Sequence, residues 1–441
     1  MSEVHTELLG DLASARRGIT YSESALRGNS EDGLPYVNMK SFLKNGGYNI
    51  EGLKYYAGFY TAADITREND LLIANTDVTR DGDIIGAPAM LPNALGKSGV
   101  LFSHHVTKLS VSTKLSVEYL YYLLCSDEYR RAMKKYARGT TVLMLDMQGI
   151  KRIAVRYPTS KHEQKKVVSV LSSIDTAIEK TEVLIAKYQQ IKAGLMHDLF
   201  TRGVLPNGQM RPPREQAPEL YQETAIGWIP REWAVAKLGT MAKIVSGVTL
   251  GSKESPSDTI EAPYLRVANV QDGYLDLSEI KTVRISRKTL EYLRLLPGDV
   301  LMNEGGDFDK LGRGAVWTGE IDDCVHQNHV FRVRTDASVL LPNYLAFYSE
   351  STFGKKYFLL SSKQSTNLAS INSTQLNAYP IALPSRSEQQ ELVARISRAN
   401  LRIDAMKAES TKLRSQRLGL MQDLLTGKVS VKVDEPELVD G

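Results

Sequence analysis

Cysteine is nearly absent: the 441 residues contain two, Cys125 and Cys324. That excludes a disulfide framework and a cysteine-ligated zinc site, and it fits a reducing cytoplasm. Long apolar runs are missing too. No stretch approaches the ~18 residues that cross a bilayer, and the opening MSEVHTELLGDL lacks the apolar segment of a signal peptide. The expectation is a cytoplasmic protein with no membrane partner. One-sided charge is lacking as well, with 55 Lys and Arg against 51 Asp and Glu, a net +4. This permits nucleic acid as a partner without arguing for it, because compact DNA-binding domains are often far more basic.

Catalytic signatures are equally scarce. No Asn-Pro-Pro-aromatic or Asp-Pro-Pro-Tyr stretch occurs, and RPPRE at Arg211 lacks the acidic or amide lead residue. GRG at Gly312 is a lone Gly-x-Gly, and GKS at Gly96 has no glycine five residues upstream, as a phosphate-binding loop requires. Glu163 and Lys165 imitate the end of a nuclease motif but fall in a helix start. His104, His105, His326 and His329 lie on or beside expected strands, without Cys or carboxylate partners at ligand spacing. The expectation is a non-catalytic chain with no metal and no cofactor of its own.

What the sequence does contain is a repeat. GLMHDLFT at Gly194–Thr201 returns as GLMQDLLT at Gly419–Thr426, 225 positions on. At the same offset, without a gap, the 45 residues from Ser160 overlie those from Ser385. Earlier segments echo more weakly. LGDLASARRGIT at Leu9 faces LGTMAKIVSGVT at Leu238, LPYVNM at Leu34 faces APYLRV at Ala262, ENDLLIANTD at Glu68 faces PGDVLMNEGGD at Pro297, and EYLYYLL at Glu118 faces NYLAFYS at Asn343. The chain reads as module, helix, module, helix.

Both helices open on Ser-x-x-Glu (Ser160/Glu163 and Ser385/Glu388), the capping-box spacing. Val167, Leu171, Ile174, Ile178, Ile185, Tyr188 and Leu195 then recur at steps of three and four, with Thr181 and Lys192 as polar members. Leu392, Ile396, Ala399, Ile403, Met406, Leu413, Leu420 and Leu424 repeat the register. This is a heptad seam. Each helix of ~35–40 residues would run ~50–60 Å. That overhangs a domain of ~150 residues, whose radius of gyration is ~15 Å. The two helices are therefore expected to pack on each other rather than each on its own module.

The modules read as mixed. DIIGAPAML, HHVTKLSV, GAVWTG and HVFRVRT alternate like strands, and a short helix is expected at Val117–Lys135 and again at Pro342–Leu360. The fold class is α+β: two pseudo-repeated mixed α/β modules at opposite ends of a long antiparallel two-helix coiled coil. The expected divisions are a first module over 1–157, a helix over 158–204, a Pro- and Gln-rich linker over 205–225, a second module over 226–383, a helix over 384–430 and a tail over 431–441.

This layout resembles a known family. The IPxxW…LG lead-in at Ile229–Gly239, the SxxEQ helix starts, the GLMxDLxT helix ends, and NEGGDFDKLGRGAVW (Asn303–Trp317) followed by HQNHVFRVR together look like a type I restriction–modification specificity subunit. The first module departs from the second, with IANTDVTRDGDIIGAPAML and FSHHVTKLSV at the matching places. The resemblance implies recognition of a bipartite double-stranded DNA sequence, one half-site per module, with the helices as spacer. It implies two modification (methyltransferase) subunits and ATP-dependent restriction subunits as partners. S-adenosylmethionine, ATP and Mg are implied on those partners and not on this chain.

Candidate DNA contacts follow from residue type and loop position. They are Thr79, Arg80 and Asp81, then Arg138, Thr140 and Thr141, in the first module. In the second they are Asp307, Lys310, Arg313, Lys363, Gln364, Ser365 and Asn367. ARGTTVLM and SKQSTNLA occupy equivalent places after the short helix. The helix surfaces balance their charge and so suit protein. Ile174, Ile178, Leu195, Met196 and Leu199, with Ile403, Leu420, Met421 and Leu424, are the expected helix-packing residues. A rival reading is a two-headed coiled-coil adaptor that binds protein or small ligands without DNA.

If the helices set the spacer, their length is a ruler. One heptad adds ~10 Å, at most ~3 base pairs of B-DNA. Inserting a heptad after Thr181 and another after Met406 keeps the seam in phase, because both hold the same heptad position. The half-site sequences should persist while the preferred spacer lengthens, as read by methylation mapping on duplexes of graded spacer. An unchanged optimum in the folded, active variant would assign the spacing to the partner subunits.

Overall fold

The computed structural model describes residues 3–27, 33–66, 70–92, 95, 99–251, 258–306, 311–364 and 369–431. The chain divides into two compact units, Met1–Glu182 with Ala408–Gly441, and Val183–Lys407. Two long helices, Lys161–Thr201 and Arg386–Leu425, contribute to both units.

The two units repeat one architecture, mixed in helix and sheet. The first has a four-stranded antiparallel sheet in the order Ala13–Arg17, Val106–Val111, Leu71–Ala74, Pro88–Met90. The second has Ala242–Ser246, Val330–Thr335, Val300–Asn303, Gly314–Val316. Beside each sheet one parallel pair recurs, Leu34–Val37 with Val100–Phe102, and Thr259–Leu265 with Val325–His326. Each expected short helix is in fact two. Val117–Cys125 is followed by Asp127–Lys135, and Pro342–Glu350 by Thr352–Ser361. The breaks fall at Ser126 and Ser351, whose extended backbones end one helix and start the next. Their hydroxyls donate back to the Leu123 and Tyr348 carbonyls at 2.7 and 2.5 Å, which is how serine favours helix ends over interiors.

The long-helix starts show why Ser-x-x-Glu-Gln recurs. The Glu163 and Glu388 amides each donate to the preceding serine hydroxyl at 3.3 Å. The following glutamines are fully buried. Gln164 accepts from Ser116 N–H at 2.8 Å and donates to the Pro158 carbonyl at 2.8 Å. Gln389 accepts from Leu341 N–H at 2.9 Å and donates to the carbonyls of Val339 and Pro384 at 2.9 and 3.1 Å. One amide thus bolts each helix start to the head of the neighbouring helical pair, satisfying groups that burial would otherwise penalise.

Helix ends finish the cores. In the first unit Val167 and Leu171 from one helix and Met421, Leu424 and Leu425 from the other pack with Leu120, Leu123 and Leu124. In the second, Met196, Leu199 and Phe200 pack with Tyr344, Tyr348, Leu392 and Ile396. Full burial of each such side chain contributes roughly 1.5–3 kcal/mol. Along the seam Ile178 and Ile403 are buried, while Ile174, Leu195 and Leu420 are half-buried. Within each unit the helix segments run antiparallel. In the first, Arg417 pairs with Asp175 and Arg414 with Glu182. In the second, the Arg402 guanidinium lies 4.7 Å over the Tyr188 ring, and Lys192, the polar seam member, meets Glu350 at 2.9 Å.

The stretch 205–225 is held in place. Arg211 is 2% exposed and ion-pairs with Glu388 and with Glu232. Glu388 also accepts from Trp233 Nε1 at 3.0 Å and Val204 N–H at 2.8 Å. Its carboxylate has therefore turned from the helix cap to this hub. Removing Arg211 would strand a buried carboxylate, which costs ~3–5 kcal/mol. Arg211→Ala should lower the melting temperature of the second unit by roughly 10 °C in calorimetry. A shift under ~2 °C would mean that Glu388 stays neutralised or hydrated without it.

Candidate nucleic-acid interface

In the first unit, three separated segments form one small sheet. Thr76–Asp77 pairs with Leu143–Leu145, which pairs with Ala137–Arg138. The loop after Asp77 and the hairpin after Arg138, singled out separately in the sequence, are thereby brought together. The second unit repeats the device, with Gly305–Gly306 against Ala369–Ser370 and that against Lys363–Gln364. The matching bonds recur. Leu145 N–H donates to the Asn75 carbonyl at 2.8 Å, and Ile371 N–H to the Glu304 carbonyl at 2.8 Å.

The first loop is organised by a residue that sequence reasoning missed. Asp77 is fully buried, and its carboxylate accepts from the amides of Thr79, Ile84 and Ile85 at 2.7, 2.6 and 3.0 Å. Buried Arg130 donates to the Ile85 and Asp83 carbonyls at 2.7 and 3.1 Å. Exposed Thr79 also braces the loop, its hydroxyl accepting from Asp83 N–H at 2.9 Å. Arg80 and Asp81 are exposed at the tip, and Lys134 Nζ donates to the Asp81 carbonyl at 3.0 Å. Nothing local marks Asp77 for this role, because its partners are amides and carry no side-chain signature.

The hairpin presents Arg138, Thr140 and Thr141 to solvent. Gly139 allows the turn: its φ is +112°, and a Cβ there would sit 2.2 Å from the Val142 carbonyl oxygen. The Arg138 side chain is 80% exposed and donates to Asp146 at 2.7 Å. The Gly149 amide, then Arg138 and the Gln148 amide, hold the Asp146 carboxyl below the usual range. The guanidinium is held on a fixed base by Asp146 while most of it faces solvent, which suits it to a phosphate or a guanine edge.

Two first-unit histidines are held toward their uncharged form. Burial first, then neighbouring Arg17, holds the His104 ring below its ordinary pKa; burial, then His104 and Arg17, does the same for His105. His105 Nδ1 lies 2.8 Å from Thr76 Oγ1, at the edge of the small sheet. In the second unit His329 Nδ1 lies 2.7 Å from Glu304 Oε2, so the fold supplies a carboxylate partner that sequence spacing did not reveal. His326 is buried, with Nδ1 2.6 Å from the Val330 carbonyl, and burial pushes its pKa down to about 4. Among the described residues no group of three or more His, Cys, Asp or Glu could hold a metal ion.

In the second unit Asp307, Lys310, Ser365 and Asn367 lie outside the described residues. Lys363 and Gln364 form the outer strand of the small sheet. Arg313 is drawn inward: its side chain is 16% exposed, with Nη1 donating to Gln271 at 2.8 Å and Nε 3.7 Å from Asp272. Met196, Leu199, Met421 and Leu424 are buried in the cores of their units.

Comparison with known proteins matches this arrangement. The family model described as type I restriction modification DNA specificity domain covers residues 1–187 and 230–415. The type I restriction enzyme MjaVIII specificity subunit of Methanocaldococcus jannaschii is 26% identical over 377 residues, 83% of this chain and 81% of that protein. The putative MjaX specificity subunit of the same organism is 26% identical over 210 residues, so that the chain spans about half of its length, 49%. The StySPI specificity subunit of Salmonella potsdam is 20% identical, covering 96% of this chain and 89% of that one. Among solved structures, the S subunit of a type I restriction–modification system from M. genitalium has a TM-score of 0.56 at 14% identity, covering 96% of each chain. A chain from a type I system studied for complex assembly and conformational transition has a TM-score of 0.53 at 16% identity, covering 97% of this chain and 98% of that one. No helix among the described residues is long and apolar enough to cross a membrane. With both repeated modules matched over most of their length, the chain belongs to the type I restriction–modification DNA specificity family.

Proposed function

We propose that each unit reads one half of a bipartite double-stranded DNA target through its small sheet, and that the chain itself carries no catalytic chemistry. The observation that carries this reading is the repeated sheet. In two modules with different loop sequences, the strands that flank the loop and hairpin form the same three-stranded frame. A common frame with divergent loops is what reading two different sequences requires, because base edges discriminate and the scaffold only positions. Methyl transfer from S-adenosylmethionine and ATP- and Mg-dependent cleavage belong to modification and restriction subunits docked on this chain, as the naming of its relatives as specificity subunits supports.

On the first head Arg80 and Arg138 are the cations that would meet DNA, together with Thr79, Thr140 and Thr141. In the second, Lys310, Lys363, Gln364, Ser365 and Asn367 take the matching places in sequence, with Asp307. Asp77 acts through the loop as a positioning residue.

Two measurements test this. Replacing 1–157 with the first module of another family member should change one half of the methylated sequence and leave the other half intact; a change in both halves would refute independent reading. Arg138→Ala should weaken DNA binding by the assembled complex. If it meets a phosphate, affinity falls for all sequences and the salt dependence loses about one ion. If it meets a base, discrimination at one position of the first half falls by ~1–3 kcal/mol. Unchanged affinity and unchanged specificity in a folded variant would remove Arg138 from the interface.

A further inference from the structure

One turn in each unit lies outside every segment singled out in the sequence, yet it is fastened to the reading loop. In the first unit Leu43 N–H closes the turn on the Gly47 carbonyl at 3.1 Å, and Phe42 and Tyr48 bridge across it. Gly46 has φ +87°, and a Cβ there would lie 2.5 Å from Cys125 Sγ, so the turn is pressed onto the helix Val117–Cys125. Two further bonds tie it forward. Gly47 N–H donates to the Pro88 carbonyl at 2.8 Å, and Lys44 Nζ meets Asp83 of the reading loop at 2.8 Å.

The second unit builds a matching turn, one residue shorter. Gln271 N–H donates to the Tyr274 carbonyl at 3.0 Å, and Val270 and Leu275 bridge across. Gly273 N–H donates to the Gly314 carbonyl at 3.0 Å, matching the bond to Pro88. The ion pair also returns with its polarity reversed. Asp272 stands on the turn, and the cations stand opposite it: Arg313 Nε at 3.7 Å and Lys355 Nζ at 3.6 Å. Both pairs are partly exposed, so what they supply is orientation of the turn rather than much stability.

The turns differ in what they present. Tyr48 flanks the first turn and is half-buried, whereas Tyr274 lies within the second turn, at its end, and stands 62% exposed. A lone exposed aromatic is ordinary. This one sits on a turn fixed by the Gly273–Gly314 bond and by the pairing of Asp272 with Arg313 and Lys355. Its ring can lie on a thymine methyl or a sugar, and its hydroxyl can both donate and accept at a base edge.

We propose that the turn is a third DNA-reading element in each unit, latched by an ion pair to the reading segment, and that Tyr274 contacts the half-site read by the second unit. This rests on the DNA-reading function proposed above. The test uses the full chain assembled with its methyltransferase subunits, on duplexes randomised in both half-sites, with methylated products sequenced. If the wild-type complex selects no bipartite sequence, the function itself is refuted, and the turn is not what failed. If it does select one, Tyr274→Ala should lower methylation at the second unit's half, or relax its base preference, by about 5-fold or more, leaving the other half unchanged. Lys44→Asp should act in the same way on the first unit's half, and Lys44→Asp with Asp83→Lys should restore it, which loss of a simple packing contact would not allow. Wild-type selectivity and rate in a folded Tyr274→Ala complex, or changes in both halves, would overturn the contact. A Lys44→Asp complex with unaltered first-half selection would overturn the latch.

Discussion

Neither module closes its own core. The first leaves Leu120, Leu123 and Leu124 to be covered by Val167 and Leu171 from one long helix and by Met421, Leu424 and Leu425 from the other. The second depends in the same way on Met196, Leu199 and Phe200 with Leu392 and Ile396. Each unit therefore assembles from parts of the chain far apart in sequence, and its stability is inseparable from the helices. Polar groups reinforce the apolar contact at the same place. Gln164 and Gln389 fix the helix starts, Asp175 with Arg417 fixes one helix to the other in the first unit, and Arg211 with Glu388 closes the second. A buried amide or ion pair adds little net stability but is costly to mispair. Its effect here is to admit one helix register.

That constraint explains which features were legible in the sequence. The repeat shows most plainly from Ser160 and from Ser385 because the serine cap, the buried glutamine and the Met and Leu of the helix ends each have one tolerated chemistry. The mixed fold was legible from strand alternation, and the observed strands at Val106–Val111 and Val330–Thr335 lie within the expected stretches. The breaks at Ser126 and Ser351 were not legible, since the apolar spacing continues across them and only the backbone turns. The ordered path of 205–225 was hidden by its Pro- and Gln-rich composition. What fixes it is Arg211 meeting Glu388, a partner 177 positions away.

The site divides along the same line. The loop at Thr79–Asp81 and the hairpin at Arg138–Thr141 could be found because exposed Arg and Thr beside glycine are visible locally. Their union on one sheet depends on Thr76–Asp77 pairing with Leu143–Leu145, which no local pattern encodes. Asp77, Arg130, Lys44 and Gln271 stayed hidden for a further reason. Each acts on backbone groups or on a side chain of another segment, so its role exists only in the folded chain. Arg313 shows another limit of a purely local view: it reads as a surface cation, and its pairing with Gln271 and Asp272 emerges only in the fold.

This organisation also accounts for the modest charge of a DNA-reading chain. A protein that reads sequence gains from weak binding elsewhere, because every phosphate contact raises affinity for all DNA alike. Here much of the cationic charge near the loops is already spoken for: Lys44 by Asp83, Arg138 by Asp146, Arg313 and Lys355 by Asp272. The neutral His104 and His105 rings add no charge either. On the proposed function, selectivity comes from geometry, and loops held by Asp77 and Arg130 would meet DNA with part of their ordering cost already met by folding. Fixed loops and tethered cations lower non-specific attraction while keeping base discrimination. A half-site alone should thus bind weakly, and joining two halves in one chain raises the effective concentration of the second once the first is engaged. On the proposed function the duplication has a physical rationale: two weak, selective readers in one chain would succeed where one strong, basic reader would bind everywhere.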